Sequence, residues 1–148
     1  MMHFLRTLLV AMATMVPLIA TGQDLPVLEL TAGMHRIEAE VVNTQEARMR
    51  GLMMRRSMPT HRGMLFVFED YARHCMWMKN TLLPLSVAFM DEQGRIINVE
   101  EMRPQTEDNH CAVKPARYAL EMNAGWFKKR GLGPGAALAG IDRAPPPR

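Results

Sequence analysis

Apolar and polar positions alternate with a period of two from Arg36 to Val42, with Ile37, Ala39 and Val41 on one side and Arg36, Glu38 and Glu40 on the other. Successive side chains of a strand point to opposite faces, so this segment predicts a half-buried strand. Val27–Leu30 reads as a shorter strand, and Thr31-Ala32-Gly33 is a turn signal that would join the two as a hairpin. Asn43-Thr44 then offers two capping side chains, with Glu46 in the favoured acidic first turn, and predicts a helix from Gln45 to about Met53, closed by Ser57-Met58-Pro59. The apolar run Gly63–Phe68 has strand length. Pro84–Asp91 and Arg95–Met102 are two further strands around the tight turn Asp91-Glu92-Gln93-Gly94. Arg103–Pro115 is a polar loop, Arg117–Met122 a strand, and Ala124–Arg130 a short helix ended by Gly131. About six short strands, hairpin connections and one or two short helices place the chain in the α+β class, as a mainly antiparallel curved sheet or small β-barrel.

The first residues follow another logic. Arg6 supplies a positive charge, Leu8–Ala20 is apolar except at Thr14 and Pro17, and Ala20-Thr21-Gly22 offers small residues before polar Gln23-Asp24. That order is the pattern of a secretory signal, expected to span residues 1–22. The apolar run is about 13 residues, whereas crossing a hydrocarbon core takes about 20. The expectation is therefore a periplasmic or secreted protein with no stable membrane insertion after cleavage. A single domain would cover residues 23–143, followed by a frayed tail at 144–148 rich in proline.

The formal charge of +3 falls by one when Arg6 leaves. Arg55-Arg56 and Lys128-Lys129-Arg130 are the basic clusters, and elsewhere bases are interspersed with acids. That distribution describes solvated surface charge and not a nucleic-acid groove, so no nucleic-acid partner is expected. Both cysteines, Cys75 and Cys111, lie outside the signal. An exported domain with an even count points first to a structural disulfide. A metal site with the flanking His74 and His110, or a redox pair, are the other readings, although the C-x-x-C spacing typical of redox pairs is absent.

Three segments carry a resemblance: Glu46–Met53, Gly63–Phe68, and Trp77-Met78-Lys79-Asn80-Thr81 with Pro84-Leu85. Tyr118–Gly125 adds a fourth. In order and content they resemble domain-of-unknown-function family 192, over about Leu28 to Gly135. The Trp-Met-Lys-Asn-Thr segment is the most specific of them. The resemblance implies a compact β-rich domain, often exported, and implies no reaction. The chain departs from the family pattern at Gly135-Ala136-Ala137, where members often carry Gly-Asp and an apolar residue, so the pattern does not carry over to a last strand.

Candidate chemistry centres on His74–Thr81. If the segment is extended, Cys75, Trp77 and Lys79 share one face and Met76, Met78 and Asn80 the other. With Met78 toward the core, Trp77 and Lys79 stand near the surface. Trp77, Lys79, Asn80 and Thr81 would then form a small-ligand platform: an aromatic face for stacking, with ammonium, amide and hydroxyl groups to fix orientation. Packing of Trp77 and turn formation by Asn80-Thr81 is the competing account. Methionine is abundant, 15 in all, and Met53, Met54, Met58, Met64, Met76 and Met78 fall in one stretch. Thioethers suit Cu(I), which makes His74, Met76, Met78 and His110 weak candidates for a copper site, with ordinary core packing as the alternative. No G-x-S-x-G, H-E-x-x-H or phosphate loop is present. Among the carboxylates, Glu69, Asp70, Asp91, Glu100, Glu101 and Glu121 read as solvated surface acids. The sequence thus favours a non-catalytic binding or accessory module for a small or envelope-derived ligand. Copper handling and an enzyme of unknown type are the alternatives.

Overall fold

The computed structural model of the protein describes residues 24–148. The expected signal segment, residues 1–22, lies outside them. Strands β1 (Val27–Ala32) and β2 (His35–Val42) form the expected antiparallel hairpin, with Leu30 opposite Ile37 and Gly33 at a φ of 59° in the turn. Helix α1 (Gln45–Arg50) follows, capped by Thr44, whose Oγ1 accepts from the Ala47 amide at 3.2 Å. It stops three residues short of the expected end. Gly51 takes a φ of 47° and its amide bonds the Ala47 carbonyl, which closes the helix there.

Strand β3 (Arg62–Ala72) runs beyond the apolar segment that announced it and pairs parallel with β2. Then come β4 (Cys75–Met76), β5 (Leu85–Met90), β6 (Ile96–Met102), β7 (His110–Cys111) and β8 (Ala116–Asn123). Helix α2 (Trp126–Lys129) is shorter than expected, and β9 (Leu138–Ala139) supplies the last strand. The large sheet has the order β6-β5-β8-β3-β2-β1-β9, while β4 and β7 pair separately. Apart from the β2–β3 pair, every ladder is antiparallel. The Ile96 amide bonds the Ala136 carbonyl and the Leu138 amide bonds Gly94, so the segment that pairs with β1 also reaches back to the start of β6. The result is the expected α+β fold, a curved half-barrel sheet with two short helices.

Strand β8 is central, between β5 and β3, and both of its faces are covered. Leu120 and Met122 join Leu65, Val67, Ala88, Met90, Trp126 and Phe127 in one apolar cluster. Ala119 joins Met64, Phe66, Phe68, Val87, Phe89 and Leu52 in the other. This two-sided burial removes the expected solvent face of β8. The Asn43 Nδ2 donates to the Pro146 carbonyl at 2.7 Å, and the Arg148 amide donates to the Asn43 carbonyl at 2.6 Å, so residues 144–148 are tied down. Among the described residues no helix is long and apolar enough to cross a membrane.

Candidate functional site

Cys75 and Cys111 are bridged, and the ladder sets Cys75 opposite Cys111 and Met76 opposite His110. The antiparallel register places His74 opposite Ala112, so His74 and His110 are diagonal to one another and not face to face. The bridge anchors the segment His74–Thr81 against the polar loop. Extended geometry ends at Met76, which corrects the expectation of two alternating faces through Thr81. The Met78 amide bonds the Thr106 carbonyl and the Thr81 amide bonds the Met78 carbonyl. Asn80 adopts a φ of 52°, a left-handed conformation that asparagine tolerates better than most residues. A turn therefore replaces the strand.

This turn, the disulfide, α1 and the outer part of β3 enclose a cavity of about 370 Å³. Phe66 and Phe68 from β3, Trp77, and the methionines Met49, Met53 and Met76 line it, together with Leu52, His74 and Thr81. Trp77 is 38% exposed. Thr81 is buried, and its hydroxyl donates to the Lys79 carbonyl at 3.1 Å. Lys79 and Asn80 do not line the cavity; the Lys79 Nζ sits 5.2 Å from the centre of the Trp77 ring. The four expected platform residues are thus divided, two on the cavity wall and two on the outer turn.

The candidate metal donors are divided as well. His74 and Met76 line the cavity, Met78 is fully buried in the second apolar cluster, and His110 lies on β7 across from Met76. The His74 ring is already engaged, stacked on Phe68 with centroids 3.8 Å apart and its Nε2 3.0 Å from the Asp70 carbonyl oxygen. Among the described residues, no three His, Cys, Asp or Glu side chains are grouped to hold a metal ion.

Glu121 is the residue that sequence reasoning missed. It lines the cavity yet is only 4% exposed. In the ladders it lies between Met64 of β3 and Val87 of β5, in a row of apolar neighbours. Its carboxyl has neither a hydrogen bond nor a nearby charge to offset its burial, and desolvation alone pushes it up to about 8. At neutral pH the group is therefore mainly a neutral carboxylic acid, able to donate as well as accept. By contrast, Arg48 at the cavity wall has partners: its guanidinium donates to the Asn43 and Val67 carbonyls and to Glu69. A second cavity, about 480 Å³, shares Arg50, Gly51 and Met53 with the first. Its half-buried acid, Glu40, is paired with Arg55, whose hydrogen bond holds the Glu40 carboxyl below its usual range. There the acid has its base, whereas Glu121 in the first cavity has none.

The comparisons agree with this architecture. The family model DUF192, described as "Uncharacterized ACR", matches residues 27–140. The chain belongs to the DUF192 family. A provisionally described transcription regulator from Sinorhizobium meliloti 1021 has a crystal structure with a TM-score of 0.71 and 36% identity, over 77% of this chain and 92% of that one. A protein of unknown function from Novosphingobium aromaticivorans DSM 12444 superposes with a TM-score of 0.75 at 26% identity, over 84% of this chain and 92% of that one. No curated protein matches the chain. The cavity of this DUF192 protein is built from the segments that carried the resemblance. Leu52 and Met53 come from the first, Phe66 and Phe68 from the second, Trp77 and Thr81 from the third, and Glu121 from the fourth.

Proposed function

We propose that this protein is an exported, non-catalytic binding module that takes one small, largely apolar ligand into the cavity beneath α1. The observation that carries this reading is the unpartnered Glu121 carboxyl in a cavity where aromatic and apolar side chains are interspersed with charged ones that are already paired. A carboxyl with no protein partner and little access to solvent is poorly solvated, and a ligand that supplies a partner recovers part of that cost on binding. The cavity volume is at the lower end of the range of small-molecule sites, and a few polar groups among apolar walls are their usual composition. The disulfide supports residence in an oxidising compartment such as the periplasm. The non-catalytic half of the reading rests on the polar groups at hand: the Thr81 hydroxyl is spent on the Lys79 carbonyl, and His74 is held by Asp70. The regulator description of the Sinorhizobium protein finds no support in this chain's helices, since among the described residues the α-helices are six and four residues long and neither has the length of a recognition helix.

Amide and indole chemical shifts recorded during titration with a fragment collection of neutral, anionic and cationic members test the reading. The expected result is a set of shifts confined to the Trp77 indole, Thr81 and the residues around Glu121, with Trp126 unmoved because it packs in the other cluster. A collection that produces no shift at these residues contradicts the proposal. A second reading, soft-metal binding, draws on His74, Met76, Met49 and Met53, which all line the cavity. Intact native mass of the protein from its own host decides it: retained copper supports that reading, and a metal-free mass contradicts it.

A further inference from the structure

The site's charge and wall chemistry point to one ligand class. Resting on the binding reading above, we infer that the cavity is built for a small organic ammonium ion, held with its cationic head against Glu121 and its body against Phe66, Phe68 and Trp77.

The charged and titratable groups that line the cavity besides Glu121 are Arg48 and Arg50 of α1, Glu69 and Asp70 of β3, and His74. Arg48 is held by two carbonyls and Glu69, Arg50 pairs with Glu46, and His74 with Asp70. Each base thus has an acid partner already, so an incoming carboxylate or phosphate would compete with a pair that exists. Glu121 alone has no counterpart. A neutral ligand could accept one hydrogen bond from its carboxylic acid. An ammonium group brings up to three donors and a charge, and so converts the carboxyl into a fully paired carboxylate.

The walls favour the same class. Aromatic faces attract cations through the ring quadrupole, and Trp77 already does so on the outer side with Lys79. Met49, Met53 and Met76 add polarizable, flexible thioethers that adapt to an alkyl or aryl body. A bare metal ion is a poor occupant, since no cluster of three hard or borderline donors is present among the described residues. The cavity volume limits the ligand to a small amine.

Proton linkage separates this class from the others. Seating an ammonium against Glu121 expels the carboxyl proton, so binding at pH 7 should release nearly one proton per ligand. Affinity should rise about tenfold per pH unit from pH 6 toward 8, then level off. The experiment is calorimetry of the full-length mature protein with phenethylamine, 2-phenylethanol and phenylacetate. Each titration is run at pH 6, 7 and 8 and in two buffers of different ionisation enthalpy. The expected result is that phenethylamine binds at least tenfold tighter than the other two, with proton release, and that Glu121→Gln abolishes both the preference and the release. The proton count is read on the unaltered protein, so the test stands even if the variant folds poorly. Equal or tighter binding of the alcohol or the acid, proton uptake, or absence of binding by the amine overturns the inference. If the alcohol or the acid binds in the cavity while the amine does not, the ammonium assignment falls and the binding-module reading remains. If no fragment of any class binds there, both fall.

Discussion

Glu121→Gln is expected to abolish most of the loss of stability that the unaltered protein suffers between pH 5 and 8. Burial pushes the Glu121 carboxyl up to about 8, from an ordinary value of 4.5 that the unfolded chain retains. Between those values the folded state keeps a proton that the unfolded state has released, so unfolding becomes easier as pH rises. Stability is full below about pH 4.5, falls through the window, and carries the whole penalty of a buried carboxylate above about pH 8. A tenfold difference in proton affinity is worth about 1.4 kcal/mol, so the fall between pH 5 and 7 is roughly 3 kcal/mol. Glutamine keeps the shape and does not titrate. The variant and the parent should therefore be similar at pH 5 and diverge by roughly 3 to 4 kcal/mol at pH 8, with the variant more stable. Glu40, held low by Arg55, works in the opposite direction: its contribution is present above about pH 4.5 and is lost as pH falls. Both proteins share it, so it cancels in the difference. Urea denaturation across this pH range checks the prediction, and parallel curves for the two proteins contradict it.

The second large effect is expected from the disulfide. A double Cys75→Ser, Cys111→Ser variant should lose about 4 kcal/mol, the chain-entropy value for a loop of this size. The cysteines are 36 residues apart. For a domain whose total stability is of the usual 5 to 15 kcal/mol, roughly a quarter or more disappears. The loss should concentrate where the bridge acts. The β4–β7 ladder has only two residue pairs, Cys75 with Cys111 and Met76 with His110, and cannot persist on backbone bonds alone. Trp77 follows directly and forms part of the cavity wall, so reduction should loosen it and weaken ligand binding as well as lower stability. Denaturation curves with and without a reductant, read by tryptophan fluorescence, measure both. An unchanged midpoint on reduction would show that the ladder holds without its bridge.

The parts that were legible in the sequence are those decided by near neighbours. The period of two in Arg36–Val42, the turn at Asp91–Gly94 and the cap at Thr44 each depend on a few adjacent residues, and each is found. The disulfide followed from the reading of export and an even cysteine count. Trp77 near the surface followed from Met78 pointing inward. Glu121 was hidden for the opposite reason. In Tyr118–Asn123 it alternates with Leu120 and Met122, so local pattern assigns it to solvent. What buries it is Met64, Val87, α1 and the disulfide-bound segment, all distant in sequence. Lys79 and Asn80 lie outside the cavity because the chain turns after Met76, and the carbonyl that fixes this turn belongs to Thr106, far along the polar loop. The parallel pairing of β2 with β3 likewise depends on the crossover through α1, which no single segment announces.

The most direct test of the account is the titration of Glu121 itself, followed by carboxyl carbon chemical shift in protein labelled at glutamate, with Glu121→Gln used for assignment. The account predicts a carboxyl that is protonated at pH 7 and titrates at about 8. A midpoint near 4.5 would mean that Glu121 is solvated or already paired, and would contradict the unpartnered carboxyl on which the proposed site depends.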